Sequence, residues 1–291
     1  MSIVGEIPGF FQLFSSGKIN RISPGISPPS SEFTDGFKSK DVTIDLFKPV
    51  TARIFVPNTI ETSLLPLIVY FHGGGFCIGS TTWSGFHNFL GGLSVVSHSI
   101  VVSVDYRLAP ENRIPEPWLE RSDLSRVFLS GESAGGNITY HVALQSLHKD
   151  LSPMEIKGIL VIHPYFGSEA RIESEKGKEV AHVIELNDMF WRLSLPEAEG
   201  RDHYACSFKT KADGLSEIEW TRFPSVKVFV AGADVLRERG VLYAEFLKRE
   251  GVRVVELVEA QGEPHAYHVY YPRSKATHDL QKQMSEFVHR F

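Results

Sequence analysis

Val127-Phe128-Leu129-Ser130-Gly131-Glu132-Ser133-Ala134-Gly135-Gly136-Asn137 decides how this chain is read. An apolar run enters the pattern Gly-x-Ser-x-Gly, and a helical pattern leaves it, from Ala134 through Ile138 and Val142 to Leu147. A strand, a tight turn and a helix in that order lift a serine hydroxyl above the edge of a sheet, and the glycines permit the turn. The start of the helix favours negative charge forming beside it. The five-residue pattern alone is weak; its strand-and-helix context makes it specific.

Outward from this turn, strand and helix signals alternate. Leu67 to Phe71, Ile100 to Val104, Arg126 to Leu129, Ile159 to Ile162, Val226 to Val230 and Val252 to Val258 are short apolar runs. Runs apolar on both faces predict strands buried in a parallel sheet between helices. Val42, Ile44 and Leu46 alternate with polar residues, and with Arg53 to Val56 they predict an antiparallel opening pair. Helical patterns cover Phe86 to Leu93, Ala134 to Leu147, Val241 to Arg249 and Ser274 to His289. The expectation is one α/β domain over residues 1–291, with a mostly parallel sheet of about eight strands and helices on both faces. Residues 1–37 read as an irregular arm packed through Phe10, Phe11 and Phe14, and residues 180–206 as an insertion between two strands.

One interval resists this scheme. Tyr106 to Ser125 joins two strands with only twenty residues, among them Pro110, Pro115 and Pro117. Prolines so placed exclude a helix longer than about two turns, so the crossover has little to lay on the sheet. About four uncovered apolar side chains would forfeit roughly 6–12 kcal/mol, against a typical total stability of about 5–15 kcal/mol.

Bulk properties narrow the function. Thirty basic and 35 acidic residues give a net charge of −5 in 291 residues, which argues against nucleic acid or an anionic membrane as partner. The longest apolar run, Leu64 to Phe71, contains Pro66 and is too short to span a bilayer. Residues 1–14 lack the pattern of a signal peptide, so the expected location is cytoplasmic. Two cysteines, Cys77 and Cys206, exclude a disulfide scaffold, and no Cys/His cluster has zinc spacing, so neither metal nor cofactor is expected.

A serine nucleophile needs a base and an acid to orient it. Asp234 follows the run Val226 to Val230, and His265 follows the last strand, both at C-terminal strand ends, where open α/β sheets place their sites. His268 is the rival of His265 among twelve histidines. His72-Gly73-Gly74-Gly75 follows another strand and leaves backbone amides free of side chains, able with Ala134 to bind an oxyanion. A phosphate loop is a poor alternative, since no Gly-Lys-Ser/Thr follows.

The order Ser133, Asp234, His265 is that of α/β-hydrolases. His72-Gly73-Gly74-Gly75-Phe76, Asp105-Tyr106-Arg107-Leu108-Ala109-Pro110-Glu111 and Gly131 to Asn137 resemble the hormone-sensitive-lipase-like branch of that fold. Phe190-Trp191-Arg192-Leu193-Ser194-Leu195-Pro196 and Arg201-Asp202-His203 narrow the resemblance to plant carboxylesterases. It implies a serine esterase acting on small or medium acyl esters, with Ser133 as nucleophile, His265 as base and Asp234 orienting it. Gly73, Gly74 and Ala134 would supply the oxyanion hole, and residues 1–37 and 180–206 would cap the site. Glu132 stands where plant members usually have Asp, an exchange read as harmless. Ala266-Tyr267 replaces the usual Gly-Phe. Relatives carry a full crossover helix where Ile114-Pro115 here runs almost directly into Glu116-Pro117-Trp118-Leu119, so a deletion is expected.

Two other functions belong to the same resemblance: a hormone receptor of gibberellin-receptor type, which lacks the catalytic histidine, and a dehydratase. Retention of Ser133, Asp234 and His265 favours the esterase. Cys77 is expected to be buried and inert, His72 to hold the glycine loop, and Arg107 to pair with Glu111. Phe190 and Trp191 are equally readable as pocket or packing. Nothing in the sequence indicates an oligomeric state.

Overall fold

The computed structural model describes residues 2–45, 47, 50–59, 64–114, 126–152, 154–209 and 215–291. Three short strands, β1 (Ile3–Ile7), β2 (Phe11–Phe14) and β3 (Ile19–Arg21), form an antiparallel sheet of their own. The main sheet has eight: β4 (Phe37–Asp45), β5 (Val50–Pro57), β6 (Leu67–Phe71), β7 (Ile100–Asp105), β8 (Val127–Glu132), β9 (Ile156–Ile162), β10 (Ser225–Ala231) and β11 (Val255–Ala260). Their order is β11-β10-β9-β8-β6-β7-β5-β4. The six from β6 to β11 are parallel, and β5 joins β7 and β4 antiparallel. This is the expected α/β-hydrolase architecture.

Helices follow the strands: α1 (Ser84–Val96), α2 (Ala134–Ser146), α3 (Ala181–Ser194), α4 (Glu217–Arg222), α5 (Arg237–Glu250), α6 (Tyr267–Tyr270) and α7 (Lys275–Arg290). Strand side chains alternate between faces. Ile68, Val101, Phe128 and Leu160 join Phe89, Leu93, Met284 and Phe287 of α1 and α7 in one core. Leu129, Ile159 and Val226 join Ile138, Tyr243 and Leu247 of α2 and α5 in the other. Residues 180–206, expected as an insertion, hold α3, whose Phe190 and Trp191 are buried.

Two expectations are corrected. The first residues are not irregular. Pro8-Gly9 and Ser16-Gly17 are turn signals, and Gly9 and Gly17 take the positive φ values, 80° and 81°, that close two hairpins. Between them Phe11 and Leu13 alternate inward, and Phe11 packs on Phe190 with ring centroids 5.6 Å apart. The last strand begins at Val255, three residues later than read, because Val252 serves the end of α5. Gly251 terminates that helix at φ 94°, and the Val252 amide bonds Leu247 O at 3.1 Å.

Of the short crossover, residues 106–114 hold no helix, and the expected deletion falls on residues 115–125, outside the described residues. One row of paired residues bears on it. Val226, Ile159 and Leu129 are buried, but their continuation on the same face, Val69, Val102 and Ile54, is only half-buried. On the opposite face Ile68, Val101 and Phe55 are all fully buried. Cover over the first face fades from β6 to β5. Adding a hydroxyl should therefore hurt unequally. Val101→Thr is expected to cost roughly 1–3 kcal/mol, and Val102→Thr less than about 1 kcal/mol, by urea unfolding. Equal costs would mean that both faces are equally covered.

Candidate active site

Ser133 sits between β8 and α2 with φ 55° and ψ −118°. Such a backbone costs about 1–3 kcal/mol and persists only where its surroundings enforce it. Here the Ser133 amide donates to Ile162 O at 2.9 Å, and its carbonyl accepts from the Tyr165 amide at 3.0 Å. The two glycines of the motif have a spatial cause. A Cβ on Gly131 would lie 2.2 Å from Gly135 O, and one on Gly135 would lie 1.9 Å from Phe71 O. No side chain fits at either position.

The glycine loop after β6 bends at Gly74 and Gly75, with φ 113° and 56°. His72 holds it as expected, with Nδ1 2.8 Å from Gly73 O, while Tyr106 donates its hydroxyl to His72 O and stacks on the ring at 4.3 Å. Among the described residues, the amides of Gly74 and Ala134 donate to no protein acceptor. They are free to bind an oxygen. The Gly73 amide faces the carboxylate of Glu132.

Asp234 and His265 meet across the ends of β10 and β11. His265 Nδ1 lies 2.6 Å from Asp234 Oδ2, and Asp234 Oδ1 accepts from the Leu236 amide at 2.9 Å. Burial pushes the Asp234 carboxyl up, but the charge and hydrogen bond of His265 outweigh it and hold the group below its ordinary range. Burial pushes the His265 imidazole down, but Asp234, then Glu132, overcome this and raise it to about 9. Among the described residues, Nε2 makes no hydrogen bond to Ser133 Oγ. Such a bond commonly tightens only once substrate is bound. Ser133, Asp234, His265, Gly73 and Gly74 line one cavity of about 350 Å³, walled by Phe10, Trp83, Phe86, Phe190 and Tyr270.

The comparisons with known proteins agree with this architecture. The family described as alpha/beta hydrolase fold matches residues 68–269. This chain belongs to it. Probable carboxylesterase 6 of Arabidopsis thaliana is 33% identical over 99% of this hydrolase and 92% of that protein. Tuliposide A-converting enzyme 1, chloroplastic, of Tulipa gesneriana is 35% identical over 92% and 73%. A solved hyperthermophilic esterase from the archaeon Pyrobaculum calidifontis is 26% identical, with a TM-score of 0.72, covering 87% of the hydrolase and 83% of that chain. The Arabidopsis alignment runs over 321 positions, thirty more than the 291 residues here, so that relative carries residues with no counterpart in this hydrolase.

Two groups at the site escaped the reading of the sequence. Glu132, taken as harmless, puts Oε1 3.6 Å from His265 Nε2. His163, after β9, accepts the Ala266 amide on Nδ1 at 3.2 Å, and its ring lies 5.7 Å from that of His265. His163, Asp234 and His265 each bring a ligand atom within 4.8 Å of the others. With Asp234 Oδ2 held by His265 and His163 Nδ1 held by Ala266, this is a hydrogen-bonded array and not an open metal site. The rival His268 is fully buried with both ring nitrogens unpartnered, away from the cavity lining. Cys77 is buried, its thiol pushed up to about 12, chiefly by desolvation. Glu111 is gripped by Arg21 of β3, which donates to both its oxygens, at 2.9 and 2.6 Å. Phe190 lines the cavity, whereas Trp191 stacks on Tyr165 at 4.4 Å as packing.

Asp234→Asn removes the charge that does most to raise His265. The NMR titration midpoint of His265, expected near 9 in the parent protein, should fall by more than about one unit in the variant. An unmoved midpoint would show that the 2.6 Å contact does not govern the imidazole.

Proposed function

We propose that the chain is a serine carboxylesterase that cleaves small or medium acyl esters through an acyl-enzyme. The observation that supports it most is the close Asp234–His265 pair opening onto the same cavity as the strained Ser133. Ser133 Oγ attacks the ester carbonyl carbon while His265 Nε2 takes the hydroxyl proton. The oxyanion that forms lies against the amides of Gly74 and Ala134 at the positive end of α2, the Gly73 amide being turned to Glu132. When it collapses, the C–O bond to the alcohol breaks and His265 returns the proton to the leaving oxygen. Water, deprotonated by His265, then attacks the acyl carbon; the bond to Ser133 Oγ breaks, His265 returns the proton to that oxygen, and a carboxylic acid is freed.

The lining supports a neutral substrate. Among the described residues, no lysine or arginine borders the cavity, and its acidic groups are Glu132 and Asp234. The tulip relatives are named for converting tuliposide A, and it is the carboxylesterase and esterase names of the other relatives that support an ester as the substrate here. Among the described residues, no helix is long and apolar enough to cross a membrane. A cytoplasmic location is proposed from the sequence, whereas two tulip relatives are named as chloroplastic.

Intact mass after exposure to a fluorophosphonate should show one adduct, absent in Ser133→Ala. That variant should lose at least about 10³-fold in hydrolysis of p-nitrophenyl acetate. Because the base must be neutral, wild-type kcat/KM should rise with pH and level off above about 9. Undiminished hydrolysis by Ser133→Ala would overturn the proposal, and binding of a small acid with no adduct would favour the receptor.

A further inference from the structure

Glu132 has no part in the scheme above, yet its side chain is only 3% exposed and lies within the site. It rests on the glycine loop. A Cβ on Gly73 would sit 2.1 Å from Glu132 Oε2, so the carboxylate occupies the space that the missing side chain leaves. Its other oxygen is 3.6 Å from Nε2 of His265, the nitrogen that faces away from Asp234. The imidazole therefore stands between two carboxylates, one on each nitrogen. Among the described residues, His265 is the one cationic partner within salt-bridge distance of Glu132.

The neighbours of the pair are otherwise uncharged. His163 after β9 and His268 of α6 face His265, and burial first of all pushes both well towards the neutral form. Tyr70 of β6, Tyr106 after β7 and Tyr270 of α6 face Glu132, and burial raises all three phenols. Asp234 and Glu132 are thus the formal charges that the imidazole meets.

We propose that Glu132 is a positioning residue for the reaction, its carboxylate holding the Nε2 side of His265 and the Gly73 amide, and its charge deciding how readily the imidazole takes the Ser133 proton. The inference rests on the Ser133–His265 reading above. Two consequences pull in opposite directions. An ionised Glu132 stabilises the imidazolium of the tetrahedral stage, which speeds the step. The same charge stabilises the imidazolium of the resting protein, where the base is then already spent. Burial, against the pull of His265 and the Gly73 amide, brings the Glu132 carboxyl up to about 7. An aspartate, one C–C bond shorter, would withdraw the carboxylate by roughly 1.5 Å, so the Glu for Asp exchange is not neutral here.

The test follows the histidine itself. NMR titration of the full chain, with the His265 signal assigned by its loss in His265→Gln, gives the midpoint without any turnover. In Glu132→Gln, which keeps the shape and removes the charge, that midpoint should fall by about one unit. The acid limb of the fluorophosphonate labelling rate should move with it. Glu132→Asp should fall between the two and serves if the Gln variant does not fold. An unchanged midpoint in a folded variant overturns the proposal, even if labelling is slowed at every pH, since a purely structural role would do only that. A shifted midpoint with no labelling at any pH would sustain it and remove the Ser133 mechanism instead.

Discussion

The site depends on a contact between two stretches of backbone. Gly135 lies so close to the Phe71 carbonyl that even a methyl group would meet it at 1.9 Å. That approach ties the start of α2 to the end of β6, and the loop leaving β6 is the glycine loop. Ser133 and the glycine loop are therefore set side by side by the packing of main chain, before any polar side chain contributes. The strain at Ser133 is maintained by the same closure, because its amide and carbonyl are already committed to β9 and the residues after it.

Electrostatics at the site are a balance of burial against pairing. Asp234 is desolvated, yet one hydrogen bond from an imidazole and one from an amide keep it ionised. Glu132 is as deeply placed, but its oxygens meet the edge of His265 and the Gly73 amide less closely, and burial wins. Two carboxylates in one cavity are thus shifted in opposite directions through the number and closeness of their partners, a recurring way for one site to hold groups of unlike role.

Much of this was legible in the sequence because period and motif report different things. Continuous apolar runs give sheets covered on both faces, and six of them became the parallel strands. Glycines at fixed offsets report backbone contacts, which is why Gly131, Gly135 and the loop at Gly73 could be placed. What the sequence hid were effects of side-chain length and of weak local patterns. Glu132 differs from the family pattern by one methylene, and only coordinates show that this reaches His265. His163 carries no motif at all. The opening strands are only three to five residues long, with too few alternations to separate from an irregular arm, and the burial of Phe11 depends on Phe190, far along the chain.

The half-covered face joins the remaining threads. On the row Leu129, Val69, Val102, Ile54, burial falls away as soon as the row leaves the shelter of α2. In a right-handed crossover from β7 to β8, that is the surface a helix would occupy. Residues 106–114 nevertheless keep their place above the sheet: Tyr106 stacks on His72, Ile114 donates its amide to Ser194 O, and Arg21 locks Glu111 from the opening sheet. Shortening at this point would thin the cover beneath β6 and β7 while leaving the loops at their C-terminal ends anchored from above. Loss of stability and loss of the site are then separable, because the contacts that fix Ser133 and the glycine loop run through β6, β8, β9 and α2.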